Sequence, residues 1–155
     1  MKFTKIRDLI GVSLVAGLVT AILLRFAYSD LPTLPRLAGV TFGVLAVVEA
    51  VLAWQMRNRI AGKPGARPVQ PLTAARSVAL AKASSLVGAL MSGVWAGVLL
   101  TVIPLAATSP AAGEDRTTGL IGLIGSAGLV AAALWLEHCC KTPDPPQQND
   151  NAGLR

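Results

Sequence analysis

Histidine and tyrosine occur once each in this 155-residue chain, cysteine twice, and aromatic residues make up only 5%. Acidic residues number 8, most of them in the stretches between apolar runs. There is no H-E-x-x-H, no G-x-S-x-G and no phosphate-gripping glycine loop. Little material remains for a catalytic constellation, so enzymatic activity is not expected. No histidine lies within an apolar run to hold haem. Neither a cofactor nor a metal site is expected, because the thiols Cys139 and Cys140 are adjacent and lack C-x-x-C spacing. His138 beside them reads as part of a polar helix end.

What is abundant is hydrocarbon. The composition is 53% hydrophobic and 14% charged, with mean hydropathy +0.59. A soluble domain of that make-up would be covered in exposed apolar surface. Four apolar runs, Leu9–Tyr28, Leu37–Met56, Ser84–Leu105 and Thr118–Leu136, are each close to the ~20 residues a helix needs to cross ~30 Å of hydrocarbon. The expected fold is all-α: an integral membrane four-helix bundle with spans of about 9–28, 37–56, 78–105 and 118–136. Thr73 can cap the third helix, which would then run from Ala74 straight into its span. One membrane domain, 1–141, is followed by a polar Pro/Gln/Asn-rich tail, 142–155, that reads as disordered. A cleaved signal peptide competes for the N-terminus, but Arg25 and Phe26 stand where small residues should lead to a cleavage site, favouring a retained helix.

The net charge of +6 has a topological origin. Lys2, Lys5, Arg7, Arg57, Arg59, Lys63, Arg67, Arg76, Lys82, Lys141 and Arg155 fall on one side of the predicted membrane, against only Arg25, Arg36 and Arg116 on the other. That asymmetry is the positive-inside rule, placing both termini and the loop 57–83 in the cytoplasm of a multi-pass plasma-membrane protein. Nucleic acid is not an expected partner, since no binding module and no aromatics accompany the basic residues. Trp54 and Trp135 read as interface anchors, and Trp95 as lipid-facing or packing.

Small residues recur at spacing four, which places them on one helix face. They include Gly39-x-x-x-Gly43 on the second helix and, on the third, Gly88 with Ser92 and Gly93 with Gly97. Such ridges let backbones approach where lipid removes the hydrophobic drive for association. Packing within one chain is the plainer reading; dimerisation is the sharper one.

Glu49 is the one acidic residue deep within a span, seven residues or about 10 Å from Met56. Lys82 lies at a matching depth, six residues or about 9 Å beyond Arg76. A hairpin of the second and third helices would bring the two together as an ion pair, or in a polar pocket shared with Ser84 and Ser85. Such a pair either fixes helix register or marks an ion- or ligand-linked site.

Three blocks stand together: Leu31-Pro32-x-Leu34-Pro35; Pro68-Val69-x-Pro71-Leu72-x-Ala74-Ala75-Arg76 leading into Ala79-Leu80-Ala81-Lys82-Ala83-Ser84; and Ala132-Ala133-Leu134-Trp135-Leu136-Glu137-x-Cys139-Cys140. The chain thereby resembles, from its basic start to Pro143, the small four-helix membrane proteins of high-GC Gram-positive bacteria catalogued as domain of unknown function thirty-one eighty. The resemblance implies a four-span fold at the plasma membrane and no particular activity. The functional expectation is an interaction or scaffold protein. Its basic cytoplasmic face (Arg57, Arg59, Lys63, Arg67, Arg76) would meet anionic headgroups or a protein partner's acidic surface. The alternative is a small transporter or channel subunit acting as a homo-oligomer, with Glu49 and Lys82 as its polar site.

Overall fold

The computed structural model describes residues 5–27, 37, 39–60, 71–107 and 109–140. Among them are four helices and no strand: α1 (Ile6–Ala27), α2 (Val40–Ile60), α3 (Pro71–Leu105) and α4 (Pro110–Cys139). All four are long and apolar enough to cross a membrane. The tail 142–155, Lys63, Arg67 and the Pro-containing connectors lie outside the described residues.

Two helices begin earlier than the apolar runs alone indicate. α3 starts at Pro71, where a proline costs nothing because the first N–H groups of a helix have no internal acceptor. α4 starts at Pro110 after an extended Ser109, eight residues ahead of the span start expected at 118. Its first turns carry Glu114, Asp115 and Arg116, which interrupt the apolar run without interrupting the helix. At ~1.5 Å per residue, the 35 residues of α3 reach about 52 Å, well past the hydrocarbon thickness.

The chain packs its helices in the spatial order α1–α3–α4–α2. Only four residues join α3 to α4, which forces an antiparallel pair at the centre. α1 leans on α3, and α2 leans chiefly on α4. The hairpin expected of α2 and α3 is therefore not the main contact of α2. The two outer helices keep broad apolar faces turned outward; Leu14 is 68% and Val47 64% exposed. In lipid those faces are solvated by acyl chains, so exposure there is no liability.

Glycine sets each of the three interfaces. A Cβ on Gly97 of α3 would stand 2.5 Å from the Gly17 carbonyl oxygen of α1, and one on Gly93 would run into Ser13. Gly39, just before α2, lies against Gly122 of α4, and Gly125 lies against Gly39 and Gly43. Gly88 of α3 lies against Ser126 and Val130 of α4. These glycines lie at contacts between the helices of one chain.

Candidate functional site

The end of the bundle where α2 leads toward α3 brings three helices together. Ala53 and Met56 of α2, Ala81 of α3 and Leu136 of α4 form one buried cluster, with Cys140 packed against it. Glu49, Ala53 and Met56 recur at spacings of four and three, one face of α2. The face that supplies the cluster therefore also carries Glu49 inward. Glu49 is only 5% exposed, and its carboxylate accepts a hydrogen bond from the Ser84 hydroxyl. Its Oε2 is buried and has no hydrogen-bond partner. Ser85, fully buried next door, donates to the Lys82 carbonyl at 2.9 Å.

Glu49 and Ser84 are thus hydrogen-bonded, two residues that the polar-pocket reading put together. Lys82 itself is half-buried on α3, one residue from the Ala81 that joins the cluster. Glu137 of α4 is buried at 6% exposure beside Leu136, a second inward carboxylate at this level. Sequence reading gave Glu137 no inward role. The missed signal was its spacing of four from Ala133, a residue with no exposed surface.

Two further polar layers lie toward the opposite end. At mid-height the hydroxyls of Ser92 (α3) and Ser126 (α4) are 3.1 Å apart. Each also reaches a carbonyl of its own helix, Gly88 at 2.7 Å and Gly122 at 2.8 Å. Near the α4 N-terminus Asp115 (5% exposed) and Thr118 (1%) are buried. Between these layers Trp95 is packed flat on Gly122, with Val98, Val102 and Ala112 completing an apolar cluster. Along α4, Ser126 and Glu137 are eleven residues apart, about 16 Å. The layers are separate stations along the bundle axis.

At the rim, Arg57 and Arg59 of α2 and Arg76 of α3 are exposed at the end where Glu49 lies. Trp54 is exposed and Trp135 more weakly so, both within two turns of that end. Trp95 is buried, which resolves its two sequence readings in favour of packing. Burial against the three-helix cluster pushes the Cys140 thiol pKa up, and the neighbouring Cys139 pushes it further. Among the described residues no three of His, Cys, Asp and Glu gather as a metal site would require.

Residues 9–144 match the family model described as protein of unknown function (DUF3180). The chain belongs to that family. The match runs through all four helices of this DUF3180 chain and includes Glu49, Lys82, Ser84, Glu137 and both cysteines. No curated protein and no solved structure matches it.

Proposed function

We propose that this DUF3180 protein is an interaction or scaffold protein of the plasma membrane, with both termini cytoplasmic, working through the basic face at the α2–α3 end. The observation that supports this reading is the exposure of Arg57, Arg59 and Arg76 on helix ends that the Ala53–Met56–Ala81–Leu136 cluster holds together. Each cation near an anionic surface contributes ~1 kcal/mol, so a fixed group of them favours headgroups or an acidic protein surface. The polar stations inside the bundle serve packing in this reading, and no chemistry is asked of them. Crosslinking and pull-down from native membranes should recover one reproducible protein partner, lost when Arg57, Arg59 and Arg76 are changed together to Gln. Recovery of lipid alone would count against the scaffold role.

A second reading, a transporter or channel subunit, has one specific support: the unpartnered Oε2 of Glu49 deep in the bundle. It requires a second copy, because apolar layers separate the polar stations of one chain. A strictly monomeric particle in lipid nanodiscs would argue strongly against it.

A further inference from the structure

The contact between α1 and α3 is close in its middle and open at one end, and the sequence of its ridges says why. On α3 the ridge runs Gly93, Gly97, Thr101; on α1 it runs Gly17, Ala21, Arg25, each at spacing four and so on one face. Gly93 and Gly97 let the helices meet at Ser13, Gly17, Thr20 and Ala21. One turn further on, Thr101 and Arg25 take the place of the small residues on the two ridges. A groove of about 380 Å³ occupies that place, lined by Leu18, Ala21, Ile22, Arg25, Leu100 and Thr101.

The groove is amphiphilic in a definite order. Its inner part is hydrocarbon, from Leu18, Ala21, Ile22 and Leu100, at a depth where lipid chains are the solvent. Its outer end is lined by Arg25 in the last turn of α1, seven residues or about 10 Å above Leu18. Thr101 is turned away from any guest as a donor, since its hydroxyl donates to the Gly97 carbonyl at 3.1 Å. The cationic contact in the lining therefore comes from Arg25. A planar guanidinium presents a fork of donors that matches phosphate oxygens in pairs. An apolar slot ending in such a fork complements one kind of molecule available at that level: an amphiphile with an acyl chain below and an anionic phosphate above.

We propose that the α1–α3 groove is a binding site for an anionic phospholipid of the leaflet at the α3–α4 end. One acyl chain lies along Leu18, Ile22 and Leu100, and the phosphate is held by Arg25. The site is distinct from the basic rim at the other end of the bundle and does not depend on the role assigned there. It also gives a role to the exposed Arg25, the residue that ends the small-residue ridge on α1.

Native mass spectrometry of the full chain, released from detergent containing either phosphatidylglycerol or phosphatidylcholine, tests this. The wild type should retain one phosphatidylglycerol above the statistical background and favour it over phosphatidylcholine. Arg25→Gln should lower phosphatidylglycerol occupancy about tenfold, the scale of a lost charge-assisted hydrogen bond. Leu18→Trp, which fills the slot, should lower retention of both lipids, while Arg116→Gln, an exposed charge at the same end, should leave retention unchanged. Millimolar glycerol 3-phosphate should not displace the lipid, since it lacks the chain. Circular dichroism checks that each variant is helical; should Leu18→Trp fail to fold, intermediate retention by Arg25→Lys would sustain the proposal. Wild-type retention by Arg25→Gln would overturn it, leaving annular lipid only. Equal losses in Arg25→Gln and Arg116→Gln would overturn it as a general charge effect. A dimer peak abolished by Leu18→Trp would overturn it in favour of a second copy in the groove.

Discussion

Gly39, the residue that leads into α2, and Gly122 on α4 meet backbone against backbone: a Cβ on Gly39 would stand 2.5 Å from the Gly122 amide nitrogen. Backbone cannot step aside as the end of a flexible side chain can. Gly39→Ala should therefore force α2 away from α4 and cost about 1–3 kcal/mol, the usual range for overpacking. Gly43, the other half of the same motif, has open space where its Cβ would go. Gly43→Ala should be near neutral. Thermal unfolding in detergent compares the two, and equal effects would show that α2 does not sit on α4 in this register.

The Ser92–Ser126 contact joins the two central helices at 3.1 Å in the middle of the membrane. Hydrogen bonds between membrane helices average only ~0.6 kcal/mol in coupling and reach ~1.7 at most, because unfolded helices find other partners. The double-mutant cycle Ser92→Ala, Ser126→Ala should give a coupling within that range. Each hydroxyl also has a carbonyl on its own helix, so neither single change should unfold the protein. A coupling indistinguishable from zero would remove this contact from the account of α3–α4 cohesion.

Glu49 has the Ser84 hydroxyl as a hydrogen-bond partner, and matching depth adds Lys82 as a candidate ion-pair partner. The hydrogen bond from Ser84 predicts that Glu49→Gln and Ser84→Ala are non-additive in stability, by roughly 0.5 kcal/mol or more. The same cycle on Glu49→Gln and Lys82→Met asks whether the charge pair inferred from matching depths contributes as well. Purely additive effects there would remove it. Glu49→Leu is a separate probe. It deletes the buried Oε2 that has no hydrogen-bond partner together with the acceptor for Ser84, and tests whether the carboxyl is retained for stability.

Span count and small-residue ridges were legible because each is written locally: twenty apolar residues in a row, or glycines four apart. The spatial order α1–α3–α4–α2 was not, since Gly39-x-x-x-Gly43 says that α2 packs closely and leaves its partner open. The matching surface is Gly122 with Gly125 on α4, a spacing of three that a search at four passes over. Asp115 was read as a connector residue because charge at 114–116 breaks the apolar run. Its spacing of three from both Ala112 and Thr118, each buried, was the available sign that it turns inward. Trp95 fits on α4 through its ring against Gly122, a complementarity of shape that no periodicity encodes.

Cys140 offers a pH-dependent readout of the three-helix cluster. Burial against Ala53, Met56, Ala81 and Leu136, then the adjacent Cys139, raise its thiol pKa in the folded protein. A raised folded-state pKa means that the folded chain holds the proton to higher pH than the unfolded chain does. The associated stability is fully present below the unfolded thiol pKa of about 8.5 and is lost as pH rises through the folded value. In a Cys139→Ser background, alkylation of Cys140 at pH 8 should be markedly slower in the folded protein than after unfolding in sodium dodecyl sulfate. The folded rate should climb with pH only above the ordinary thiol range, and the melting temperature should fall over the same interval. Met56→Ala opens the cluster and should move both curves toward lower pH. Alkylation at pH 8 that is equally fast in folded and unfolded protein would mean that Cys140 does not pack against this cluster.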